Sequence, residues 1–293
     1  YYPLGVIGMA GIATPHMDGN TRLCTATADQ ALKESFGSDG DPGCYEDIND
    51  CDTLFLVGHN VAETQTVMWM RMLDRLHGPD RPRLVVVDPR ATPAAREADV
   101  HLAIRNGTNL ALLNGIQHEL IVNDWVDHGF VDAHAVGFDQ TRKIVTEYPP
   151  ERVAEICGVP AEQVREAARI LGTANRLVST CLQGVYQSHQ ATASAVAINN
   201  VNLLRGMIGR PGCTVFQMNG QPTAQNTREC GANGDMPAFL NWQNPEHIGH
   251  LAAHWNVDPS VIPHWFRHTH AMQIFRYCEE GAVKLLWISG TNP

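Results

Sequence analysis

The chain has 293 residues, 44% hydrophobic and 18% charged, a composition that buries a sizeable core in one or two domains and excludes a disordered or low-complexity protein. Lys and Arg number 21 against 31 Asp and Glu, a formal net charge of −10, so no broad basic face exists to neutralise phosphates and a nucleic-acid partner is excluded. The longest apolar runs, Leu54 to Val57, Leu84 to Val87 and Leu285 to Ile288, are strand-sized, far short of the roughly 20 residues a bilayer-spanning helix needs.

From Asp50 onward the pattern repeats strand, turn and helix, which predicts a parallel sheet with helices on both faces. The first unit is a strand from Thr53 to Val57, a turn Gly58-His59-Asn60 and one helix from about Glu63 to Leu76. A second strand, Arg83 to Val87, closes on Asp88-Pro89-Arg90 and is followed by a short helix holding Ala94, Ala95 and Ala98. Val100 to Ile104 is a third, ending at Arg105-Asn106-Gly107-Thr108-Asn109 before a long helix to about Val122. Pro149-Pro150 and Val159-Pro160-Ala161-Glu162 start two further helices, the second with Val164, Ala167, Ala168 and Leu171 at helical spacing. Arg176 to Cys181 reads as another strand, then come Gln183-Gly184-Val185-Tyr186-Gln187 and a long helix from about Ala191 to Met207, leading into Gly209-Arg210-Pro211-Gly212. Asn219 to Pro237 is a long polar loop, the kind that more often serves function than mere connection. Lys284 to Ile288 reads as a buried strand and Ser289 to Pro293 as the turn leaving it, with nothing after it as cover, as expected for an internal piece of a longer chain.

In such sheets ligands sit beyond the carboxyl ends of the strands, and the polar triplets after the first three strands share that rim. Asp88 can accept hydrogen bonds from a ribose or a guanine edge, or simply shape a turn; without a G-x-G-x-x-G an ordinary NAD site is disfavoured. The eight cysteines contain no C-x-x-C pair, so neither a zinc ribbon nor an iron–sulfur motif is present locally, and most are expected to be reduced, buried thiols. That usage favours a reducing compartment; a cytoplasmic location is expected, with the periplasm as the alternative. His264, His268 and His270 crowd one segment, but Pro263 and Trp265 interrupt any helical logic and no carboxylate is arranged nearby, so no metal site is expected there.

The run Asn20-Thr21-Arg22-Leu23-Cys24, followed by Cys44-Tyr45-Glu46-Asp47-Ile48, resembles the metal-ligand segment of the molybdopterin oxidoreductases of the dimethyl sulfoxide reductase superfamily, nitrate reductases above all. The resemblance continues in order through Gly58-His59-Asn60-Val61-Ala62-Glu63, Val87-Asp88-Pro89-Arg90, Arg105-Asn106-Gly107-Thr108-Asn109, Leu113-Asn114, Gly137-Phe138, Leu203-Leu204 with Gly209-Arg210-Pro211-Gly212, and Gly220-Gln221-Pro222. It implies a three-layer α/β/α fold with 21–220 as one dinucleotide-binding domain and 1–20 with 221–293 as parts of a second, interrupted α/β domain. The family's N-terminal iron–sulfur domain and C-terminal barrel would lie outside this sequence.

The resemblance also implies molybdenum carried by bis(molybdopterin guanine dinucleotide), with Cys24 as the metal ligand, a soft thiolate suited to a metal already surrounded by sulfur. Gly58, His59, Asn60, Glu63, Asp88, Pro89, Arg90, Gly107 and Asn109 would face one guanine dinucleotide. Gln183, Gly184, Gln187, Gly220 and Gln221 would face the other or the pterins, and Thr291 and Asn292 are assigned to the cofactor as well. Arg228 matches an arginine near the metal, and its planar fork suits nitrate. Thr25 stands where many nitrate reductases have Met and formate dehydrogenases a catalytic His, which counts more against formate oxidation than against nitrate reduction. The implied reaction is nitrate to nitrite by oxygen-atom transfer, fed by an electron-donor protein or subunit. The rival readings are a formate dehydrogenase or another superfamily oxidoreductase, and a cofactor-less structural subunit of a respiratory complex.

Overall fold

The computed structural model describes residues 2–220, 224–231, 236–265 and 268–290. Thr53–Val57 (β1), Arg83–Val87 (β2), Val100–Leu102 (β3), Leu177–Cys181 (β4) and Thr214–Gln217 (β5) form one sheet in the order β3-β2-β1-β4-β5. All pairings are parallel, with Val57 opposite both Val87 and Cys181 and Cys181 opposite Gln217, so the carboxyl ends line up on one rim. β1 and β4 are buried along their whole length, as strands covered on both faces must be. The chain steps outward from β1 to β2 and β3, then returns to the other side of β1 as β4; the direction of winding therefore reverses between the ends of β1 and β4.

Helices Asn109–Val122 and Ala191–Leu204 pack against each other, and the first also packs against Ala161–Gly172. The larger unit, 27–220, holds the sheet and a continuous core that includes Phe55, Leu84, Ile116, Val178 and Ile198. The smaller unit joins 1–26 to 221–293 and has its own core of Met9, Met236, Ile248, Leu251, Ala252 and Ile262.

Several expectations change. The helix read as continuous from Glu63 is two, Val61–Thr64 and Thr66–Leu76, broken at Gln65. The third strand stops at Leu102, the helix from Ala191 stops at Leu204, and β5, unread in the sequence, completes the sheet. Helices His128–His134 and Phe138–Val145 also lack a reading above, and the polar loop after Asn219 holds the helix Ala224–Glu229. Thr21 to Ala26, expected with the larger unit, cluster with the smaller one, which among the described residues contains helices and no strand. The run Leu285 to Ile288 is not a buried strand: all four side chains are exposed, and among the described residues no strand pairs with it. Among the described residues no helix is long and apolar enough to cross a membrane.

Candidate functional site

At the winding reversal the two strand-end turns touch through backbone alone. Gly58 adopts φ +56° and its carbonyl accepts from the Gly184 N–H at 3.0 Å. A Cβ on Gly184 would stand 2.6 Å from the Gly58 Cα, so neither position has room for a side chain. Around this contact opens a cavity of about 760 Å³. It is lined by Gly58, Asn60, Glu63, Asp88, Pro89, Arg90, Gly107, Asn109, Gln183, Gly184 and Gln187 of the residues singled out in the sequence. Gln183, Gly184 and Gln187, assigned above to a different group, thus share one cavity with the loops after β1, β2 and β3.

The Asp88 carboxylate is mostly buried; its Oδ1 accepts from the Arg90 backbone N–H at 2.8 Å, which leaves Oδ2 without a partner among the described residues. Asn60 donates to Glu63 at 2.7 Å, while its own Oδ1 is enclosed without a hydrogen-bond partner. An enclosed acceptor with no donor costs about 1–3 kcal/mol, so this wall fits a ligand that brings N–H or O–H groups. The Asn109 amide faces the Gly184 carbonyl at 3.5 Å and the Ser188 hydroxyl at 3.4 Å, bracing the loop after β4. Thr64, Asn106, Ser188 and His189 also line the cavity and were missed, although each directly adjoins or closely follows a residue that was named.

His59 does not face the cavity. It is 2% exposed, with Nδ1 at 2.7 Å from Thr180 Oγ1 and Nε2 at 2.8 Å from Gln65 Oε1. Since the Gln65 oxygen can only accept, Nε2 carries the proton and Nδ1 accepts from the Thr180 hydroxyl. Burial pushes the imidazole down to about 4, with the Gln65 bond opposing, so the ring is neutral at physiological pH. Gly220 lies near the Gln183 amide, 3.6 Å from where its Cβ would be. Gln221, Thr291 and Asn292 lie outside the described residues.

A second cluster belongs to the smaller unit. Helix Thr21–Cys24 ends at Thr25, whose N–H donates to the Thr21 carbonyl at 3.0 Å. Arg228, on helix Ala224–Glu229, is 1% exposed, and its Nη1 donates to Thr25 Oγ1 at 3.1 Å. Thr25 is wholly buried and Cys24 is a half-buried free thiol. One hydroxyl thus connects a buried guanidinium to the residue that follows Cys24 in sequence. The histidines at 264 and 268 are spent on backbone carbonyls of Ile262 and Pro263, and no group of three metal-ligating side chains occurs among the described residues.

A family model described as molybdopterin oxidoreductase matches residues 11–293. The whole chain is 38% identical over 297 residues to a nitrate reductase of Synechocystis sp., covering 41% of it. It is 28% identical over 293 residues to formate dehydrogenase H of Escherichia coli, covering all of this chain and 40% of that protein. Among solved structures, the acetylene hydratase of Pelobacter acetylenicus shares the fold over 73% of this chain and 28% of its own, with a TM-score of 0.61 at 24% identity. The chain spans about two fifths of the length of these curated relatives. With the family model matched over nearly its whole length, the chain belongs to the molybdopterin oxidoreductase family, whose cofactor is molybdenum carried on a pterin.

Proposed function

We propose that this chain is part of the catalytic subunit of a nitrate reductase that converts nitrate to nitrite, taking up two electrons and two protons and releasing water. The observation that carries the reading is the buried Arg228 guanidinium bonded to Thr25, beside Cys24. The full-length likeness to nitrate reductase supports it. In this reading bis(molybdopterin guanine dinucleotide) is the form of the cofactor, with a guanine nucleotide in the cavity around Gly58 and Gly184 and Cys24 as the metal's protein ligand. When bound, the molybdenum supplies the two-electron, oxygen-accepting chemistry. Asn60 and Asp88 accept from the N–H and O–H groups of the nucleotide, and the loop glycines let backbone approach it closely. Arg228 holds the anion: a guanidinium stays charged when buried, and its planar fork of donors matches a planar anion. Electrons arrive from a donor protein or subunit through an iron–sulfur cluster carried elsewhere in the full-length enzyme.

Formate oxidation is the second reading, supported by the likeness to formate dehydrogenase H. It fits less well because position 25 offers a hydroxyl engaged with Arg228 and no proton acceptor. The test is Arg228→Lys in the full-length enzyme. Charge is kept and the fork is lost, so nitrate KM should rise about tenfold or more with a smaller fall in kcat, the pattern of lost uniform binding. An unchanged KM refutes the role given to Arg228.

A further inference from the structure

Gln65 occupies a position that neither the sequence reading nor the proposed cofactor contacts explain. The helical run breaks there without Pro or Gly, between the β-branched Thr64 and Thr66: Gln65 has φ −126° and ψ 66° between Val61–Thr64 and Thr66–Leu76. The break turns its carboxamide across the sheet rim. Oε1 accepts from His59 Nε2 at 2.8 Å and from the Thr64 hydroxyl, and Nε2 donates to the Asn219 carbonyl at 3.2 Å. His59 is itself fixed by Thr180 at the end of β4, at 2.7 Å.

The chain of bonds therefore runs from β4 through the turn after β1 to the segment leaving β5, and joins three strand ends on the cavity side. Gln65 directly follows Asn60, Glu63 and Thr64 of the cavity wall, and Asn219 precedes Gly220, which stands against Gln183 of the opposite wall. We propose that Gln65 is a positioning residue, anchored by His59, that fixes the Asn219–Gly220 segment against the wall of the nucleotide cavity. The role needs a donor and an acceptor on one flat group, which an amide has and neither a carboxylate nor an alkyl chain has. The inference deepens the nucleotide reading of the cavity and rests on it for the ligand.

The test compares wild type, Gln65→Leu and Gln65→Glu by hydrogen exchange of the whole chain, with guanosine diphosphate as the probe ligand. In Gln65→Leu the peptide carrying 218–220 should exchange about tenfold faster, while β1 and β4 keep wild-type protection. Gln65→Glu should resemble it at pH 8, where a carboxylate faces the Asn219 carbonyl. It should recover as the pH falls far enough to protonate the carboxyl, which can then donate to the Asn219 carbonyl again. Unchanged exchange at 218–220 in both variants overturns the proposal. So does equal loss across the whole sheet with no recovery of Gln65→Glu at low pH, since a merely structural residue has no such pH signature. If wild type fails to bind guanosine diphosphate while the exchange pattern holds, the nucleotide reading falls and the positioning role stands.

Discussion

His59 shows that a residue's place in a turn does not fix the direction of its side chain. It follows β1 in a turn where the family motif puts cofactor contacts, yet its ring lies in the interior between Thr180 and Gln65. A turn residue's position along the chain does not say which way its side chain points; that depends on β4, more than a hundred residues away. Asn60 and Asp88, in the turns after β1 and β2, do line the cavity. The inward ring has a consequence for pH. Its folded value of about 4 lies below the ordinary 6.5, so the unfolded state binds more protons between those values and stability rises with pH across them. The contribution is complete above pH 6.5 and is lost as the pH falls towards 4. Unfolding by urea at pH 7.5 and 4.5 should show about 2–3 kcal/mol less loss in His59→Asn than in wild type. An equal loss in both would mean that His59 is not buried neutral. The cysteines divide similarly: burial pushes Cys51 up to about 12 and raises Cys157, Cys181 and Cys213, which marks them as inert thiols, whereas Cys44 is exposed and Cys24 half-buried.

At the scale of elements, β1 and β2, announced by apolar runs, were legible because both faces of a parallel sheet are covered, and so was β4, which opens on Leu177-Val178 although Ser179 and Thr180 are polar. β5 was not, since Thr214 and Gln217 are polar. Gln217 is nonetheless fully buried, donating to the Ala195 carbonyl at 3.1 Å and to Asn199 at 2.7 Å while accepting from the Tyr186 hydroxyl at 3.1 Å. Tertiary hydrogen bonds, invisible in a local pattern, let a polar strand sit in the core. The opposite error occurs at Leu285 to Ile288, where an apolar run looks like a strand but lacks a partner. The contact between the turns after β1 and β4 is the element-level feature that the cavity depends on. Gly184→Ala should push those turns apart, since the added Cβ meets backbone at 2.6 Å with no flexible side chain to yield. We expect a loss of about 1–3 kcal/mol in stability and a clear drop in nucleotide content after dialysis. Gly209→Ala, where nothing lies within 4 Å and which does not line the cavity, should retain nucleotide despite its strained φ of +77°; equal effects at both glycines would show that the Gly58–Gly184 approach is not special.

For the whole molecule, the ordered set of motifs identified the family before any coordinates, and the sheet explains why their order is informative. The motifs after β1, β2, β3 and β4 lie at strand ends, and the parallel register brings those ends to one rim, so loops distant in sequence converge on one cavity. The roles given to Cys24 and Arg228 rest only on the resemblance, because two hundred residues separate them and neither carries a local pattern. What the chain's own residues favour is an anion held by a buried guanidinium next to Thr25, with no imidazole at that position. The most direct test offers the full-length enzyme reduced viologen with nitrate and, separately, formate with an oxidising dye. Rapid nitrite formation with little formate oxidation is the expected result; fast formate oxidation with no nitrite formed would contradict the nitrate assignment.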